Sequence, residues 1–110
     1  MIPATLRERN RYIAFEIVCD SQVSRGEVVK AVWGSLLRFL GELGASKTSL
    51  WVMDWDEEKQ QGILKVNHTS LDEVRAALTL MTEASGKSII FRTLGVSGSV
   101  KKTKEKYLAK

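Results

Sequence analysis

The order in which hydrophobic periodicity changes along this chain constrains its fold more than any single residue does. Residues 11–20, RYIAFEIVCD, alternate, so that Ile13, Phe15, Ile17 and Cys19 share one side of an extended strand and Tyr12, Ala14, Glu16 and Val18 the other. Ser24 followed by Glu27 matches a capping box. From there Val28, Val29, Val32, Trp33, Leu36, Leu37, Leu40 and Leu43 recur at helical spacing until Gly41 and Gly44 weaken and end the helix. Two β-rich runs, 47–55 and 61–68, flank the polar stretch 56–60 and predict a hairpin. Ser70 with Glu73 repeats the capping pattern, and Leu71, Val74, Ala77, Leu78 and Met81 predict a second helix that stops at Gly86. Residues 87–96 predict a last strand.

Strand, helix, strand, strand, helix, strand is the split βαβ unit written twice. It predicts an α+β fold, a four-stranded antiparallel sheet with two helices on one face, as in ferredoxin-like and RNA-recognition-motif domains. A basic helix follows at the C-terminal end. The expected organisation is one domain over residues 1–110, with a short basic N-terminal segment and a basic tail from residue 97. With 44% apolar residues, 27% charged and one proline, the chain has the composition of a globular protein with a core, not of a disordered one.

Charge is distributed unevenly. Residues 1–96 hold twelve Lys/Arg and twelve Asp/Glu, whereas the last fourteen hold five lysines against Glu105, so the net +4 arises entirely there. An excess of that kind points to a polyanion, nucleic acid before an anionic membrane surface. No apolar run reaches the roughly 18 residues needed to span a bilayer, and residues 1–10 have no signal-peptide-type stretch. The single cysteine cannot form an internal disulfide, which fits a reducing compartment. These features predict a cytoplasmic protein with no membrane partner.

Few residues could support covalent chemistry. Cys19 falls on the apolar face of the first strand, where a buried inert thiol is expected, and the sole histidine, His68, closes the third strand. No triad can be assembled, and two Cys/His residues fall short of a structural zinc site. Asp54 and Asp56 share a side of a strand, so a metal-dependent nuclease is one alternative; a solvated hairpin turn is the other. The third strand, QGILKVNH, offers Ile63, Leu64 and Val66 where base stacking would need rings, so stacking on this sheet is not expected. An apolar outer face would instead dock a protein or be covered by a terminal segment.

The tail is the richer candidate. On a helical wheel, Val100 and Tyr107 nearly coincide with Thr103 beside them, while Lys101, Lys102, Lys106 and Lys110 spread over the far side. Val100 and Tyr107 are expected to dock on the body. Lys101 and Lys102 then occupy the first turn, where the helix dipole disfavours cations, and the glycine-punctuated turn 95–98 precedes it. That arrangement suits a phosphate group. Charge alone leaves a solubilising tail as the other reading. Arg7, Arg9 and Arg11 could extend a basic surface from the opposite end.

The opening strand RYIAFEI, the segment after the first helix, and above all Gly95-Val96-Ser97-Gly98 followed by Val100-Lys101-Lys102 resemble the ribonuclease P protein component 2 family, archaeal relative of the eukaryotic Pop-five and Rpp-fourteen subunits. The resemblance covers nearly the whole chain from Arg11. It implies a non-catalytic protein subunit of the ribonucleoprotein endoribonuclease that removes the 5′ leader from precursor tRNA. The RNA subunit would require magnesium and carry the hydrolysis, with no cofactor on the protein. The partners implied are ribonuclease P RNA, precursor tRNA and a TIM-barrel-like protein subunit, with self-association as a homodimer within a heterotetramer. Carried onto this sequence, the motif makes Lys101, Lys102, Lys104 and Lys106 the phosphate contacts, with Ser97, Gly98 and Ser99 contributing backbone or hydroxyl groups. Arg7, Arg9 and Arg11 form a second tier, and Trp33, Trp51 and Trp55 are candidates for partner docking or for the core. A protein-only interaction module is the remaining alternative.

Overall fold

The computed structural model describes residues 9–108. Their order is β1 (Asn10–Val18), α1 (Arg25–Ser46), β2 (Trp51–Asp56), β3 (Gln61–Asn67), α2 (Leu71–Thr79), β4 (Glu83–Ala84), β5 (Lys87–Ser88), β6 (Ile90–Ser97) and α3 (Val100–Tyr107), with one 3-10 turn, His68–Ser70, before α2. Four strands form an antiparallel sheet in the spatial order β2-β3-β1-β6, and β4 and β5 make a separate small hairpin. The predicted fold class is the one observed. No helix among the described residues is long and apolar enough to cross a membrane.

Alternation along β1 builds the core. Ile13, Phe15 and Ile17 point toward α1 and α2, opposite Leu64 and Gly62 of β3 and Phe91 of β6. Phe15 is fully enclosed, its ring stacked between Trp55 at 5.6 Å and Phe91 at 5.1 Å. Gly62 makes this possible, because a Cβ there would lie 2.5 Å from the Asp54 carbonyl oxygen and 2.9 Å from both the Phe15 and Trp55 rings. From α1 come Val28, Val32 and Leu36, and the buried Ser35 donates to the Ala77 carbonyl at 2.9 Å, tying α1 to α2. The Ser24–Glu27 capping box forms as expected. Bonds from the Ser24 backbone and from Lys87, 3.2 Å away, hold the Glu27 carboxyl below its ordinary range.

Five local expectations are corrected. Gly41 does not end α1; at φ 74° it kinks the helix, which resumes and runs to Ser46. Leu37 and Leu43, counted in the buried stripe, are exposed, Leu43 to 72%. Ser70 caps nothing with its side chain; Asn67 does, accepting the Ser70 N–H at 2.9 Å, so a 3-10 turn precedes α2. The second helix stops at Thr79, seven residues short of Gly86, and the intervening segment folds into β4 and β5 around Ser85 (φ 51°) and Gly86 (φ 80°). Two consecutive left-handed residues are what a tight primed hairpin turn requires. Cys19 is half-buried at the rim of the core rather than enclosed.

Candidate nucleic-acid interface

The outer face of the sheet is covered in part by α3. Tyr12, Ala14 and Glu16 of β1 point that way, as do Gln61, Ile63 and Lys65 of β3, since their neighbours in sequence face the helical core. Ala14 and Ile63 are completely buried yet lie outside the main core. With the fully buried Thr103 they make a second, smaller apolar layer under α3. Gly95 pairs with Ala14, and the Tyr107 ring lies so close over Gly95 that any side chain there would overlap it. The expected docking of Tyr107 is therefore seen, and Thr103 joins it at the centre of the contact.

The start of α3 is fixed locally. Ser99 accepts the Lys102 N–H at 3.1 Å, its carbonyl accepts from the Thr103 N–H at 3.1 Å and hydroxyl at 2.7 Å, and its own N–H donates to the Ser97 hydroxyl oxygen at 3.4 Å. Lys101, Lys102 and Lys106 are exposed and have no ion-pair partner among the described residues. Lys104 differs: its ammonium lies 3.4 Å from Asp54 of β2. This pair borders an open cavity of about 360 Å³ lined also by Asp56, Lys59, Glu105 and Leu108.

The acidic segment has structural duties. Asp54 accepts the Trp55 N–H at 2.9 Å, and Asp56 accepts the N–H groups of Glu58 at 3.0 Å and Lys59 at 3.1 Å, closing the hairpin. Among the described residues, no three His, Cys, Asp or Glu side chains are grouped to hold a metal ion. His68 is exposed and reaches the Arg9 carbonyl through its backbone N–H at 2.7 Å and Nδ1 at 3.1 Å.

The remaining candidates disperse. Arg7 lies outside the described residues. Arg9 is exposed, and Arg11 is half-buried with its guanidinium on the Asn10 carbonyl at 3.0 Å. Trp33 is half-buried on α1. Of the tryptophans considered for docking, Trp55 sits in the core instead, its indole N–H donating to the Val23 carbonyl at 2.9 Å, while Trp51 is 62% exposed on the outer face. Sequence reasoning missed the Asp54–Lys104 pair and the Ala14–Gly95–Tyr107 packing. The facing small residues were the available signal for the second.

A sheet in this order, with α1 and α2 on one face and a cationic helix across the other, defines an α+β protein of ferredoxin-like, RNA-recognition-motif-like topology. Residues 11–108 match the Rpp14/Pop5 family, and the chain belongs to that family. It is 45% identical over 108 residues to ribonuclease P protein component 2 of Thermococcus kodakarensis, covering 98% of this chain and 90% of the relative. Identity to the protein of the same name from Thermococcus gammatolerans is 47% over 108 residues, with the same coverage, and to that of Methanobrevibacter smithii 39%, covering 92% and 90%. Among solved structures, a chain of yeast ribonuclease MRP superposes with a TM-score of 0.71 at 16% identity, over 88% of this chain and 79% of that one, a likeness of fold.

Proposed function

We propose that this chain is a non-catalytic protein subunit of ribonuclease P that assists the RNA subunit in removing the 5′ leader from precursor tRNA, binding RNA phosphates through α3 and docking a TIM-barrel-like protein subunit. The observation that carries the reading is a helix packed on the sheet with Lys101, Lys102 and Lys106 exposed and without ion-pair partners among the described residues, in a chain of this family. The mechanism is electrostatic. Each lysine that meets a phosphate releases condensed counterions, lets RNA strands approach one another, and lowers the magnesium the RNA needs to reach its active fold. Such contacts position RNA and carry little sequence information. The Ser97 and Ser99 hydroxyl oxygens already accept backbone N–H groups, yet each keeps its own proton to donate to a phosphate oxygen. Work in the cytoplasm, and self-association as a homodimer within a heterotetramer, complete the proposal.

The test is precursor-tRNA cleavage at low magnesium by the cognate RNA with this protein and its TIM-barrel-like partner. Deleting α3 would also uncover Ala14 and Ile63, so the informative variant is Lys101→Gln/Lys102→Gln/Lys106→Gln, which keeps the helix seated. Cleavage should need more magnesium, and the slope of log affinity against log salt should fall by about 2 to 3. Wild-type behaviour of this variant would reject the phosphate assignment, and cleavage by the protein alone would make it a nuclease. In the opposite direction, Asp54→Asn should free Lys104 for RNA and steepen the salt slope by roughly 0.7 to 0.9, with less than about 1 kcal/mol change in stability because the ion pair is exposed. Filter binding across a salt series reads both effects.

A further inference from the structure

The register of the sheet aligns residues that the sequence keeps far apart. Trp51 of β2 pairs with Lys65 of β3, Lys65 pairs with Tyr12 of β1, and Tyr12 pairs with Ser97 of β6. All four lie on the outer face, because Val52, Leu64, Val66, Ile13 and Val96 beside them turn to the helical core. They form one transverse row across the sheet. Trp51 is 62% exposed, and Lys65 and Tyr12 are partly exposed. Among the described residues, neither the Lys65 ammonium nor the Trp51 indole N–H has a hydrogen-bond or ion-pair partner. At the far end of the row, the Ser97 hydroxyl oxygen accepts the Ser99 N–H, which places the start of α3, with exposed Lys101 and Lys102, beside it.

We infer that this row is a binding site for unpaired nucleotides: Trp51 and Tyr12 each stack one base, and Lys65 between them meets the intervening phosphate. The inference rests on the RNA-binding reading and deepens it. Rings two strands apart are separated by about 10 Å, whereas stacked bases in a strand rise about 3.4 Å, so the row accepts only bases splayed from one another. A duplex, whose bases stay stacked and paired, cannot present them. The cations argue for RNA over an apolar protein segment: Lys65 stands inside the row, and Lys101 and Lys102 flank one end, so a backbone crossing from Trp51 toward Ser97 meets positive charge at the middle of the row and again at its Ser97 end. The absence of rings on β3 does not exclude stacking, because both rings come from the strands on either side of it.

The experiment measures anisotropy of 5′-fluorescein decauridine and of a blunt ten-base-pair RNA duplex with the full chain across a salt series. Trp51→Ala should weaken decauridine binding roughly 5- to 150-fold, the range for one lost stacking contact. It should leave the salt slope unchanged and duplex binding within about twofold. Trp51→Phe should keep most of the affinity, which separates loss of a ring from loss of the fold. Lys65→Gln should lower the slope by about 0.7 on the single strand. Quenching of tryptophan emission by decauridine should disappear in Trp51→Ala, since Trp55 is enclosed and Trp33 lies on the helical side. Equal weakening on duplex and single strand, or no weakening at all, overturns the site while leaving phosphate binding by α3 intact. Salt-insensitive or absent binding of both RNAs by the wild-type chain overturns the phosphate reading as well.

Discussion

Phe15→Ala is expected to lower the stability of the fold by about 3–5 kcal/mol, the range for truncating an enclosed aromatic ring. Domains of this size have about 5–15 kcal/mol in total, so the variant should unfold at a much lower urea concentration, with an unchanged slope if unfolding stays two-state. The effect is large because two terms combine. Removing the ring withdraws apolar area that is completely buried, and the faces of Trp55 and Phe91 that it stacks against lose their partner on the central strand. Relaxation into the void is limited by Gly62, whose backbone is already held against the Asp54 carbonyl. Phe15→Leu, which keeps most of the volume, should lose clearly less. Equal losses for the two variants would mean that the site collapses freely and the ring trio is not a packing unit.

Gly95→Val should have the largest effect on function for a residue with no side chain of its own. Its side chain would occupy the space of the Tyr107 ring, so α3 must lift from β1 and β6 or the strand must distort. Overpacking of this kind costs about 1–3 kcal/mol, enough to unseat an eight-residue helix held by one small apolar layer and one exposed ion pair. The expected result is faster amide exchange in α3 and in the strand segments around Ala14 and Ile63, binding of an apolar dye to the uncovered face, and RNA affinity reduced by tenfold or more as the lysines lose their common frame. Amides of α1 and α2 should keep their protection. The pair Gly95→Val/Tyr107→Ala should recover part of the loss, since the ring that clashes has gone. An intact α3 in Gly95→Val would show that Tyr107 can swing aside without cost.

Much of the main fold could be read from the sequence because its determinants are local. The alternation around Ile13, Phe15 and Ile17 and the helical stripe from Val28 to Leu36 each declare an element within a dozen residues, and six such elements admit few topologies. What could not be read depended on partners distant in the chain or on near-degenerate local choices. Gly41 reads as a stop, yet Ala45 beyond it is buried against the core, and the helix resumes past the kink to place it there. Ser70 and Asn67 are both competent caps three residues apart, and the 3-10 turn decides for Asn67. Strands of two residues, as in β4 and β5, are too short for any period to register. At the interface, the docking face of α3 was legible from Tyr107. The diversion of Lys104 to Asp54, fifty residues earlier, and the alignment of Trp51, Lys65 and Tyr12 follow from sheet register, which no window of sequence contains.

The sheet order also sets a timetable. β1 is central, bonded on one side to β3 and on the other to β6, so the strand nearest the start of the described residues waits for partners whose pairing closes only when Ser97 has been made. At about 5–20 residues per second, some 80 residues separate the two events by roughly 4–16 s. During that interval Ile13, Phe15 and Ile17 are attached to the ribosome with no second edge to bond and no ring to stack on from β6. Pairings this far apart in sequence also close slowly for entropic reasons. The nascent chain is thus most exposed to misassociation before its final third emerges, and binding by a trigger-type chaperone should be strongest for stalled chains that end between β3 and β6.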